Sequence, residues 1–169
     1  MMPLWVPSQE AINLWPNASL ESGIDDWRTQ GQDVTLSHSN ARSKFGTWSL
    51  KAACASTGNN NWSTVDYFTV LPGTEYTWSA YFLLDEDAPG ADLNVFIVDF
   101  DFNNLTGFVD VTLIDETWVR FELTFTTLTS TKILTSMQEI SGVDTPGDIY
   151  MDGVMLELGG TMSDWVDHG

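Results

Sequence analysis

The chain has one cysteine, Cys54, so no internal disulfide can staple the fold. It has two histidines, His38 and His168, too few for a convincing zinc cluster with that lone thiol. A serine hydrolase triad fares no better. His168 lies beside the last residue, His38 has no Gly-x-Ser-x-Gly elbow to serve, and no glycine-rich phosphate loop is present. Only six Lys and Arg stand against 24 Asp and Glu, a formal net charge of −18. Such a surface repels phosphate backbones, and nucleic acid is not an expected partner. It attracts cations or a basic protein surface, or it serves only solubility. No run approaches the roughly 18 apolar residues of a membrane span, so no membrane partner is expected. The start, "MMPLWVPSQEAINLW", lacks the basic-then-apolar pattern of a secretory signal. Both ends read as natural chain ends, and the expectation is a complete, soluble protein made in the cytoplasm. Helical periodicity is nearly absent.

What the chain does have is apolar residues at 43%, aromatics at 12% and eight tryptophans, enough to fold as one domain. Period-two runs recur between Gly, Pro, Asn and Asp clusters, at 33–39, 48–54, 63–70, 75–84, 92–101, 107–114, 118–126, 132–140 and 148–158. In "WVRFELTFT", Val119, Phe121, Leu123 and Phe125 share one face, and Trp118, Arg120, Glu122 and Thr124 the other. With a short strand near "ASLES", about ten strands are expected. Their spacing points to an all-β, antiparallel two-sheet β-sandwich of the jelly-roll kind. Cys54 shares a face with Leu50 and Ala52 and reads as a buried, inert thiol. Residues 1–12 differ: Pro3 and Pro7 discourage pairing around Leu4, Trp5 and Val6, which suggests an extended arm ahead of a single domain at 13–169.

Two local features bear on function. In "IYMDGVMLELGG", alternation puts Asp152 among Tyr150, Val154, Leu156 and Leu158, an apolar set in which an unpartnered carboxylate is costly. Exposed aromatics would suit a sugar site, because flat rings stack on pyranose faces. Trp62 beside three Asn, Tyr67, Tyr81 (opposite in phase to Trp78 and Phe82) and Trp118 are the ligand-binding candidates. The alternative is that each covers a sheet edge or loop. Asp99 and Asp101 are spaced like paired carboxylates of a glycosidase, but a strand end or cation-binding edge accounts for them, and no enzyme is expected. The sequons at Asn17, Asn61 and Asn104 read as turn composition.

Several segments in order resemble jelly-roll carbohydrate-binding modules of the cellulase and xylanase type: "NLWPNASLESG", "FGTWSLKA", "VLPGTEYTWSAYF", "TWVRFELTFTT" and "IYMDGVMLELG". Leu20-Glu21 stands where the family commonly has Phe-Glu. The resemblance implies a structural calcium held by Glu21, a carbonyl near Lys44, and Asp152, since calcium takes about six to eight oxygens. The alternative is an Asp152 satisfied by N–H or hydroxyl donors alone. The ending, "MDGVMLELGGTMSDWV", also resembles segments of tailed-phage structural proteins. The first expectation is therefore a non-catalytic phage virion protein, decorating a capsid or belonging to a tail. Its partners would be other virion proteins or its own copies, and surface glycans in addition. The alternative is an extracellular glycan-binding module, autonomous or cut from a secreted glycoside hydrolase.

Overall fold

A computed structural model describes residues 12–54, 60–85, 93–139 and 147–167. Among these residues eleven strands form: β1 (Trp27–Thr29), β2 (Val34–Ser39), β3 (Ser49–Cys54), β4 (Asn60–Thr64), β5 (Phe68–Thr69) and β6 (Glu75–Leu84) precede β7 (Leu93–Asp99), β8 (Val109–Val111), β9 (Val119–Thr126), β10 (Lys132–Glu139) and β11 (Gly147–Leu158). Sheet one runs β1-β4-β10-β7-β8, with β5 beside β10; sheet two runs β2-β3-β11-β6-β9. Every strand pair is antiparallel, so the jelly-roll sandwich is the fold. Among the described residues no helix is long and apolar enough to cross a membrane.

The core lies between the sheets. Trp62, Val95, Ile97 and Met137 from sheet one meet Leu50, Trp78, Phe82 and Met151 from sheet two. Leu50, Ala52 and Cys54 line one face of β3, as their alternation requires. Trp15 is buried ahead of the first strand and stacks on Phe68 at 3.9 Å and Trp27 at 5.6 Å. Its segment is pinned along β11: Leu14 N–H donates to the Leu156 carbonyl at 2.8 Å, and the Asn13 amide bonds Val154 and Leu156.

Three elements depart from the sequence reading. The run at 63–70 is two strands, because Val65 leaves β10 and donates its N–H to Asp26 O at 2.7 Å. The segment near 18–22 is a turn, with Leu20 N–H bonded to Asn17 O, and the strand lies further on at β1. Asp152 does not share a face with Val154. At Gly153 the backbone turns to φ +60° and the β11–β6 register shifts between Asp152 and Met155. This is a β-bulge, so alternation stops there and resumes one step out of phase. Of the arm expected at 1–12, all but Ile12 lies outside the described residues.

Candidate functional site: the outer face of sheet one

The core residues of sheet one point inward, so their alternates point out. Across the sheet these outward residues align into rows. One row runs Arg28, Ser63, Ser136, Phe96 over β1, β4, β10 and β7. The next runs Asn61, Gln138, Asn94, Asp110 over β4, β10, β7 and β8. Strand spacing of about 4.8 Å makes the five-strand width roughly 19 Å. The middle is floored by small buried groups, Ser63, Ser136 and Asn94, while Arg28 and Phe108 are exposed at its two edges. The Gln30 amide donates to Ser63 Oγ at 2.7 Å, and the Asn94 amide donates to the Asp110 carboxylate. Phe96 and Phe108 meet with ring centroids 4.7 Å apart. Further along, Phe100 packs edge-on against Tyr67 at 5.3 Å, with the Lys132 ammonium 5.6 Å from its ring centre. Above that buried floor the face offers the amides of Asn61 and Gln138, the Asp110 carboxylate, the Arg28 guanidinium and the rings of Phe96 and Phe108, the equipment for holding a polyhydroxylated chain.

The outer face of sheet two is covered around Tyr81 by the protein itself, while Thr35, Ser37, Glu122 and Thr124 stay exposed toward its edges. Trp165, from the segment after β11, stacks on Phe45 at 3.6 Å with the planes 8° apart. Arg120 donates to the Ser163 carbonyl at 2.7 Å, and Asn13 to the Val166 carbonyl at 3.1 Å. Tyr81 sits in this assembly. Phe45 packs edge-on against it at 5.3 Å, and the Lys44 and Arg120 cations lie 5.0 and 5.6 Å from its ring centre.

Asp152 is fully buried at the bulge, and its partners are backbone donors. The N–H groups of Lys44 and Phe45 donate to Oδ2 at 2.7 and 2.9 Å, and that of Gly153 to Oδ1 at 2.6 Å. Burial pushes this carboxyl up to about 6, against the pull of those three donors; the nearby Glu21 charge adds to the rise. Glu21 Oε1 accepts the N–H groups of Thr47 and Trp48 at 2.8 and 2.7 Å. Glu21, Lys44 and Asp152 therefore do meet, on the loop before β3. What Lys44 presents to Asp152 is its N–H, whereas the sequence reading assigned its carbonyl to a metal.

The aromatic candidates separate. Trp62 is a correction: it has no exposed surface, because β4 starts at Asn60 and turns the ring into the core. No sugar can stack on it without opening the sandwich. Tyr67 is half-buried beside Phe100, toward the sheet-one face. Tyr81 lies on an outer sheet face as expected, but on the covered one. Trp118 is half-buried just ahead of β9, in the other sheet from the rows. Sequence reasoning missed Arg28, Ser63, Asn94, Phe96, Phe108 and Gln138. The outward alternates of 92–101 and 132–140 carried the signal, namely Asn94, Phe96, Ser136 and Gln138.

A two-sheet jelly roll with a polar and aromatic sheet face defines a β-sandwich binding module. The chain belongs to the carbohydrate binding domain family CBM_4_9, whose model matches residues 13–137. Comparison with curated proteins finds no match. Among solved structures, the fold is similar to the C-terminal family 22 carbohydrate binding module of Clostridium thermocellum Xyn10B. That likeness has a TM-score of 0.66 at 16% identity, covering 86% of this chain and 93% of the other. TmCBM61 in complex with β-1,4-galactotriose matches with a TM-score of 0.65 at 16% identity, covering 87% and 99%. A domain of bacteriophage CBA120 tailspike protein 4 matches with a TM-score of 0.62 at 17% identity, covering 87% of this chain and 21% of that one.

Proposed function

We propose that the chain is a non-catalytic glycan-binding module and that its binding surface is the outer face of sheet one. The observation that carries this is the pair of hydrogen-bonding rows across the sheet, with the Phe96–Phe108 pair at one end. A neutral glycan suits a chain of net charge −18 better than a polyanion. The reading is non-catalytic because Asp99, one of the two carboxylates spaced like a glycosidase pair, is otherwise engaged. It is 1% exposed and accepts bonds from the Asp101 and Asn103 N–H groups and the Asn103 amide, each at 2.9 Å. Burial pushes its carboxyl up, but the Asn103 and Asp101 bonds outweigh that and hold it below the usual carboxylate range. Affinity electrophoresis in gels cast with xylan, β-1,4-galactan or laminarin tests the proposal. Retardation without release of reducing ends is expected; hydrolysis, or no retardation by any neutral glycan, contradicts it.

A second reading concerns setting. The ending that resembles tailed-phage structural proteins packs as part of the sandwich through Trp165, Ser163 and Val166. On this reading the module belongs to a virion, as a capsid decoration or tail component docked on virion proteins or its own copies. Antibody labelling of purified particles tests it against the extracellular setting.

We also propose that calcium reinforces the loop before β3. Glu21 and Asp152 converge there, and among the described residues neither has a Lys or Arg partner. Two like charges on hard oxygens suit a divalent cation. Among the described residues no third His, Cys, Asp or Glu joins them, so carbonyls and water would complete the shell. Ligand binding to the folded form alone raises stability by mass action. The Tm is expected to rise with calcium and fall with a chelator, and Glu21→Ala is expected to abolish the response. An unchanged melt in both leaves the N–H donors as the whole account of Asp152.

A further inference from the structure

Beyond the sheet face, the turn that follows β7 carries a feature its own stability does not explain. The bridge between Val98 and Asn104 closes a tight tip over residues 99–103. Asp99 N–H donates to Asn103 O, and Phe102 N–H donates to Asp99 O, both at 3.0 Å. The buried Asp99 carboxylate then ties down the Asp101 and Asn103 backbone from inside. In this rigid tip Phe102 has φ +63°, a left-handed conformation that favours glycine or asparagine and disfavours a bulky side chain. The residue is 81% exposed, so burial offsets little of that strain. Phe100, two residues earlier, is 54% exposed and is braced by Tyr67 and Lys132. Strain held by a buried clamp, with an exposed aromatic at its apex, is the pattern of a contact residue.

We propose that Phe102, with Phe100 beside it in the chain, forms a second sugar-stacking site at the end of the sandwich. It would take a neutral pyranose ring of a chain that continues from the sheet-one face. This rests on the glycan-binding reading above. Two observations favour a sugar over a protein or a lipid. The two rings are interspersed with polar Asp101, Asn103 and Asn104, all exposed, rather than set in an apolar patch of protein-interface size. The site also continues from the binding face, because Phe96, Val98 and Phe100 alternate outward along β7 and its end. Acidic membranes are repelled by the charge of −18.

The test uses the full chain and affinity electrophoresis on xylan, β-1,4-galactan and laminarin, with Tm recorded for each variant. Phe102→Gly relieves the left-handed strain, so its Tm is expected to be unchanged or higher while affinity falls about tenfold. Phe102→Trp is expected to keep the parent affinity and Phe102→Leu to show the same loss as Phe102→Gly, because stacking needs a flat ring and apolarity alone does not supply it. If Phe96→Ala loses binding while Phe102→Gly and Phe102→Leu bind like the parent, the second site is refuted and the sheet-face reading stands. If the parent binds no glycan, both fall. If Phe102→Gly instead changes only the mass seen by light scattering, the tip is a protein contact and the sugar assignment is overturned.

Discussion

Asp152→Ala is expected to cost about 3 kcal/mol of stability. The substitution leaves three N–H groups without their acceptor, that of Gly153 buried and those of Lys44 and Phe45 partly buried. Each unsatisfied buried donor costs about 1–3 kcal/mol. The loop before β3 would also lose its anchor, and with it the Phe45 ring on which Trp165 stacks. Gly153→Ala acts on the same joint. An added Cβ would meet Phe45 Cε2 at 2.6 Å and Tyr81 Cδ2 at 3.0 Å, in a backbone conformation already unfavourable for alanine. The same carboxyl predicts a pH dependence in chelator. Its ordinary value of 3.8 is raised to about 6 in the folded chain. Between those values the folded state binds more protons than the unfolded one, so stability falls as pH rises through the window and is flat above it. The loss is about 3 kcal/mol, and Asp152→Asn is expected to remove that slope. Urea unfolding between pH 4 and pH 7 measures both. A parent curve whose stability rises across the window would show that the three donors outweigh burial.

Glycan binding is expected to disappear in Ser136→Trp, with a lowered Tm because the position is nearly buried, and to weaken severely in Phe96→Ala with a smaller change in Tm. Ser136 lies on the outward face, at the crossing of β10 with β4 and β7, and is 3% exposed in the floor. Among the described residues its hydroxyl makes one long bond, 3.5 Å to the Trp62 carbonyl. An indole there would project over its row neighbours Ser63 and Phe96. Phe96 is half-buried and touches Phe108, so removing its ring deletes the flat surface next to the amide row. Loss of stacking and packing together is worth about 2 kcal/mol, or more than tenfold in affinity. Isothermal titration with whichever polysaccharide retards the parent gives the number. Binding in both variants equal to the parent would move the site off this face.

The fold was legible because the sandwich writes a period of two into long strands. β6, β9, β10 and β11 fall within a residue or so of their expected bounds. Short elements were not legible. β1 has three residues, and β4 begins with two asparagines whose low β-propensity reads as loop until pairing with β10 overrides it. That override is what hid Trp62 in the core. The bulge was hidden for a related reason: one glycine resets the alternation, so a single pattern read across residues 149–158 puts Asp152 among the wrong neighbours. The convergence of Glu21, Lys44 and Asp152 was readable only through family resemblance, because those residues lie far apart in sequence. The sheet-one face was missed because its residues are ordinary singly. A serine, an asparagine and a phenylalanine on three strands become a site only when register places them side by side.

The most direct test is an NMR titration of the full chain, isotope-labelled, with an oligosaccharide from the polysaccharide that retards it. Shift changes are expected to concentrate on the outward residues of β4, β7 and β10, with Asn61, Asn94, Phe96, Ser136 and Gln138 foremost, extending to Arg28 and Phe108 at the two edges. Changes confined to the sheet-two face around Tyr81 and Trp165, or no changes at saturating sugar, would contradict the sheet-one site.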